Sequence, residues 1–326
     1  MKSCLLLLLS VALPCSAVGQ ELWIQPPLEK EAKSDADSKD GGPSKWRAYA
    51  GQRLGKADLP MSARGFRSRM VGPDATPRPL RWQNRQDRLS TAMTENFGGA
   101  FLVQGHRPFE ERAIGRSELL AMARDWGSSL EVLQQIADLE ADDQPLFRSR
   151  AFAKALVGWR GSRRGPAGTW RSSFNLEIIP RKNPLTYHAG EILEVQVVYR
   201  VQPLADAAVR WYHPQSKAAG TSWTNRRGRA WIPLPESGWL LIGVGVLEPP
   251  QAGVPNDEEG DDLPVDRWRS EATSFSFHVA KEPPPKPVTP PAPEGEAVEE
   301  GKAILDSSTE SGGSVSQAWD SPDTDD

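Results

Sequence analysis

The sequence predicts a mostly β protein in which short antiparallel strands lie on either side of one helical segment. Three observations carry that expectation. In "ILEVQVVY", Leu193, Val195, Val197 and Tyr199 fall on one face and Glu194 and Gln196 on the other, the pattern of a half-buried strand. Around it, "FNLEIIP", "AAVRWYH", "RAWIPL", "GWLLIGVGVLE" and "ATSFSFHV" recur as short β-like runs divided by turn and loop residues, read as the strands of a β-sandwich. Between residues 115 and 139 the period changes: Leu119, Leu120 and Ala123, then Leu130, Leu133, Ile136 and Ala137, recur at helical spacing.

The elements follow in chain order. Residues 1–19 read as a signal peptide, with Lys2 as a basic start, the apolar run "CLLLLLSVALP" and small residues before Gly19. The run is too short to span a bilayer, and no later stretch reaches the roughly 18 apolar residues that would. A lipid anchor on Cys15 is disfavoured, because Pro14 stands where such a site wants a small residue. Cys4 and Cys15 are the only cysteines, so an exported mature chain has no disulfide, thiol nucleophile or thiolate metal ligand. Export places the protein in the periplasm or outside the cell.

Residues 20–113 form a first, irregular β region, in which "LWIQP", "WRAYAGQ", "GFRSRMVGP" and "GGAFLVQG" are separated by turn residues. The 28–45 insert is polar, charged and expected to be disordered. Residues 114–172 are a helical connector and basic linker, with Ser117 and Ser128 as N-caps and Glu131 completing a capping box with Ser128. Within it, "PLFRSRAFAKALVGW" is compatible with a third helix or a strand. Residues 173–280 are the second β region, where "TNRRGR" supplies a turn glycine before "AWIPLP". Asn183-Pro184 and Ala189-Gly190 bracket the approach to the "ILEVQVVY" strand, leaving His188 as a turn residue at its rim. Residues 281–326 are rich in Pro, Gly, Ser and acid and are expected to stay unfolded. They carry 11 acids against 3 bases in a chain of net charge −4, so residues 1–280 are net basic.

A family resemblance is carried by an ordered series of segments. "ELWIQP", "AYAGQRLGKADLP", "FAKALVG", "LEIIPRKNPLTYHAGEILEVQVVYRVQPLADAAVRWY", "RGRAWIPLPESGWLLIGVGV" and "DRWRSEATSFSFHVA" follow one another through residues 20–280. The chain resembles the exported bacterial family called domain of unknown function 4198, often described as a nickel-uptake transporter component. The resemblance implies two immunoglobulin-like antiparallel β-sandwich domains joined by the helical segment. It implies a role beside metal or nutrient uptake, with an envelope transporter or receptor component as partner. It also implies metal-binding histidines at two positions, which on Trp23 and Trp239 align with Gln20 and Gly245 here. Neither is a ligand, so nickel handling does not carry over on those positions.

His106, His188, His213 and His278 have no partner at chelating spacing, and there is no HExxH motif. His106 reads as a turn residue and His278 as an outward strand residue. His188 and His213 flank successive strands and, with Asp266 and Glu271, are the candidate ligands for a weakly bound divalent ion. No GxSxG elbow is present, and the acidic run "NDEEGDD" reads as a solvated loop. The expectation is therefore a non-enzymatic binding or accessory protein with no resident cofactor. Trp170, Trp211, Trp223, Trp231, Trp239 and Trp268 support a carbohydrate-binding module as the alternative, with Trp231 and Trp239 read as core. A structural adaptor using the basic face and acidic tail is a third reading. Arginine is dense at 64–69, 78–88 and 160–165; export argues against nucleic acid and favours solvated loops or an anionic partner.

Overall fold

The computed structural model describes residues 21–25, 44–51, 54, 56, 65–85, 88–93, 99–158, 165–250 and 267–281. The signal region with Cys4, Cys15 and Gln20, most of the 28–45 insert, "NDEEGDD", Asp266 and residues 282–326 lie outside the described residues. The described chain is mostly β with a short helical segment, and the described residues fall in one compact unit.

In chain order the strands are β1 (Glu21–Gln25), β2 (Ser44–Gly51), β3 (Arg67–Val71), β4 (Pro77–Pro79), β5 (Gln83–Arg85), β6 (Arg88–Met93) and β7 (Ala100–Ala113). Helices α1 (Arg116–Asp125) and α2 (Leu130–Ala137) follow, then β8 (Leu146–Gly158), β9 (Leu176–Pro180), β10 (Ile192–Tyr199) and β11 (Gln202–Pro203). The last strands are β12 (Ala208–His213), β13 (Ala218–Trp223), β14 (Arg229–Pro233), β15 (Gly238–Glu248) and β16 (Trp268–Val279).

Eight of these strands form one sheet in the order β13-β12-β15-β16-β8-β7-β3-β4. The ambiguous "LFRSRAFAKALVG" is strand β8, antiparallel to β7 and parallel to β16, with Ala151 opposite Ala272. Its residues alternate Arg148, Arg150, Phe152, Lys154 and Leu156 against Ser149, Ala151, Ala153 and Ala155, a period of two that a helix would scatter. Strands from both sides of the helical segment thus share one sheet.

The middle of that sheet, with its parallel pair β8 and β16, is covered on both faces, as parallel strands require. Ala100 and Leu102 of β7, Phe152 and Leu156 of β8 and Phe275 and Phe277 of β16 pack with Leu176, Ile178, Leu193, Val195, Val197 and Ile232. Those partners come from the small sheet in which β10 pairs β9, β14 and β11. The alternate residues Phe101, Val103, Ala151, Ala153 and Ala155 pack with Leu22, Ile24, Trp46 and Ala48 of the sheet β1-β2-β6-β5. Ser274 and Ser276 donate hydroxyl hydrogens to the carbonyls of Leu22 (2.5 Å) and Ile24 (2.6 Å), which seats β1 directly on β16. The helices close a third cluster, with Leu119, Met122, Trp126 and Ile136 against Phe147, Leu247 and Trp268.

Several local expectations shift. Gly115 is the N-cap of α1 and uses no side chain, so Ser117 lies inside the helix. The cap of α2 is Ser129, whose hydroxyl accepts Val132 N–H at 3.3 Å. Ser128 is unavailable because its own N–H closes α1 onto Ala123 O (2.9 Å) after Gly127 turns through φ 68°. His106 is not in a turn: β7 runs on through an irregularity between Arg107 and Glu110, and His106 pairs with Phe152. The Gly228 turn reverses the chain, but β13 and β14 on its two sides pair in different sheets. Trp231 is 49% exposed, whereas Trp239 is 8% exposed, so only the second of that pair belongs to the core.

Candidate functional site

The alternation in β3 and β8 decides which side chains line a cavity on this face. Arg67 and Arg69 are two apart on β3, so both point to the face that holds Val71 and the β9–β10 core. They sit opposite His106 and Gln104 of β7. Arg150 and Phe152 lie two apart on β8 and point the same way. The small sheet covers the apolar half of this face and stops at its first strand, and the segment Ser172–Asn175 leading into β9 forms the far wall. The space left between is a cavity of about 350 Å³.

The rim is fastened from below. Glu177, buried on β9, accepts the Lys154 ammonium at 2.7 Å and the Ser172 N–H at 2.5 Å through one oxygen. Arg69 donates to Ser172 O at 3.0 Å. These bonds hold Ser173 at φ 59°, a left-handed conformation that costs a non-glycine residue energy unless its neighbours enforce it. Burial pulls the Lys154 ammonium below its ordinary range and the Glu177 carboxylate opposes that shift.

One wall is aromatic. Phe152 and Phe174 stack with ring centres 4.8 Å apart, and the His106 imidazole meets Phe174 edge-on at 6.1 Å. The Arg150 guanidinium lies 5.0 Å from the Phe152 ring centre, in cation–π range. Among the described residues lining the cavity there are three arginines and no Asp or Glu. Chemically this is a concave, cationic recess with an aromatic side, suited to a small anion that also has an apolar face.

His188 sits in the turn before β10, its N–H donating to Glu191 at 2.5 Å and its Nδ1 3.5 Å from the same carboxylate. His213 is fully buried at the end of β12, where Nδ1 accepts the Ser216 N–H at 3.2 Å and Nε2 faces Gly238. His188 bridges Ala280, and the neighbouring Val279 pairs with Gly238, so the two histidines reach the same end of the fold while engaging different partners. Glu271 is buried on β16 and paired with Arg269 at 2.6 Å. Asp266 lies outside the described residues. Among the described residues no three His, Cys, Asp or Glu side chains gather to hold a metal. At Gly245 any side chain would overlap the indole of Trp126, so the helical segment takes the space a histidine there would need.

Sequence reasoning noticed the Arg64–Arg69 density but missed Arg150, Gln104 and Phe174. The usable signal was the repeated R-S-R of "RSRMV" and "FRSRAF": in a strand it sets both arginines on one face. Exposure of Trp231 (49%) was likewise hidden by its apolar neighbours, whereas Trp223 (57% exposed) lies between Ser222 and Thr224.

Comparison with known proteins bears out the family resemblance. Residues 40–247 match the family model described as "Domain of unknown function (DUF4198)". No curated protein matches the chain. Among solved structures, it is similar to the "tetra-tandem repeat in extending region of large adhesion protein", at 8% identity, covering 79% of this chain and 49% of that one, with a TM-score of 0.21. It is similar also to the "D0-D1 domain of Intimin", at 11% identity, covering 78% and 96%, with a TM-score of 0.16. The chain spans about half the length of the first of these. Among the described residues no helix is long and apolar enough to cross a membrane.

Proposed function

The chain belongs to the DUF4198 family, and we propose that it is an exported, non-enzymatic accessory protein of the cell envelope that holds a ligand for an uptake system. The cavity between β3, β7, β8 and the Ser172–Asn175 wall carries this reading. Its rim is held in advance by Glu177, Lys154 and Arg69, and a preformed recess binds without paying to order itself. The groups beneath it are spent on structure: Lys154 neutralises Glu177 and bonds it, which leaves neither as an acid or base for catalysis. The charge of the recess favours a nutrient anion over a nickel ion, because three guanidinium groups repel a cation. The immunoglobulin-like architecture enters this reading as an expectation of the resemblance, and the periplasmic location as an expectation of the signal peptide.

A thermal-shift panel on the mature chain tests it, with small organic acids, Ni²⁺, Co²⁺, Zn²⁺ and neutral oligosaccharides as probes. A ligand present at about 100 times its Kd adds roughly 2.7 kcal/mol to the folded state, enough to raise Tm visibly. The expected result is a rise with an organic acid and none with the metals; a rise with Ni²⁺ alone would restore the metal reading. One observation favours a second reading, carbohydrate binding. Trp223 and Trp231 are both exposed, and the Ser222 hydroxyl bonds Trp231 O at 2.8 Å, which sets their strands side by side. A rise with oligosaccharides, lost in Trp223→Ala, would support it.

A further inference from the structure

We infer that the cavity is a site for a small ring-bearing organic acid, with its carboxylate held by Arg67 and Arg150 and its ring laid against the part-exposed Phe174 and His106, which the buried Phe152 backs. This rests on the ligand-binding reading above and names the class of ligand.

Charge fixes the first half. Arg67 and Arg150 enter from strands on either side of β7, and guanidinium donors match the two oxygens of a carboxylate. The described lining has no carboxylate, so an anion meets no like charge there. Arg69 acts differently: its bond to Ser172 O positions the wall, and it adds its charge from behind.

Shape and wall chemistry fix the second half. A bare phosphate or sulfate presents oxygen on every side and is best held by donors all round, yet one side of this cavity is the stacked Phe152–Phe174 pair with His106 edge-on. That wall offers ring faces and edges, which favour a flat apolar surface. A volume of about 350 Å³ lies at the small end of ligand pockets, and suits one ring with an acid group better than an oligomer. Aromatic acids and sugar acids share this chemistry, and the experiment separates them.

The test is isothermal titration of the mature chain, in low salt, with benzoate, glucuronate, acetate, benzamide, glucose and inorganic phosphate. At least one of the two acids should bind, and its neutral counterpart, benzamide or glucose, should bind roughly tenfold more weakly or worse. Benzoate binding alone identifies the aromatic acid, and glucuronate binding alone the sugar acid. Arg67→Gln should weaken the acid by about tenfold without changing the melting temperature, because Arg67 is exposed on its strand. Arg150→Gln should weaken it comparably, and Phe174→Ala should weaken the ring acid while leaving the weaker binding of acetate unchanged. Equal binding of acid and neutral counterpart would overturn the inference, as would phosphate binding as tightly as the acids, or an Arg67→Gln variant with full affinity. If neither acid binds, this inference falls; the broader reading falls only if the thermal-shift panel also finds nothing.

Discussion

The two faces of the central sheet are built on opposite principles, and β8 displays both. Toward β1 and β2 it presents Ala151, Ala153 and Ala155, side chains so small that another strand can lie almost backbone to backbone on it. The hydroxyls of Ser274 and Ser276 then reach the β1 carbonyls, satisfying groups that close packing would otherwise strand. Toward β9 and β10 the same strand presents Arg148, Arg150, Phe152 and Lys154, long side chains that keep the layers apart. The close face has little room for a ligand. The spaced face has a cavity, and it has one because large and charged residues prop it open.

The largest loss should come from the buried pair on the spaced face. Lys154→Met or Glu177→Gln alone leaves the other partner buried without its counter-charge, and should cost about 3–5 kcal/mol in denaturant unfolding. The double variant Lys154→Met/Glu177→Leu should recover most of that loss, since an apolar pair of similar size suits the surrounding core. A double variant as unstable as the singles would mean the pair holds the Ser172–Asn175 wall in a way packing does not replace.

On the close face the sensitive dimension is volume. Ala153→Leu adds bulk where β1 crosses and should cost about 1–3 kcal/mol by forcing the layers apart. Ser276→Ala removes the hydroxyl that meets Ile24 O, leaves a buried carbonyl short of a partner, and should cost about 1 kcal/mol. If Ala153→Leu were neutral in a chemical melt, the close approach of β1 would not be the organising feature of that face.

The smallest effect should appear in pH dependence, at the edge of the close face. Glu21 at the start of β1 is buried against Arg210 of β12, and burial pushes its carboxyl above the ordinary carboxylate range despite that partner. A carboxyl whose folded-state pKa is raised binds its proton more tightly in the native chain. Its contribution to stability is therefore present at low pH and lost as pH rises through the raised value. Unfolding free energy followed from pH 4 upward should contain this decline in the native chain, and Glu21→Gln should flatten it. The same slope in both proteins would show that Glu21 titrates as it does in the unfolded chain.

How much of this was legible depends on how local the cause is. The "ILEVQVVY" strand and its glycine-marked turn were readable because alternation and turn chemistry are set within a few residues. The helices were readable from their period, and the cap missed by one residue because Ser128 and Ser129 compete for it. The β8 strand was ambiguous because alanine suits either structure, and only its pairing between β7 and β16 decides. The cavity was less legible still. Arg67, Arg150 and Phe174 are far apart in the chain, and nothing local announces that β3, β8 and the approach to β9 converge.

The most direct measurement is hydrogen–deuterium exchange of the mature chain with and without saturating benzoate. Exchange should slow at Ser172–Asn175 and at Gln104–His106, where ligand would cover the spaced face, and stay unchanged at Leu22–Gln25 and Trp46–Ala50 on the close one. Protection confined to the close face, or none at Ser172–Asn175 despite bound benzoate, would contradict the placement of the site.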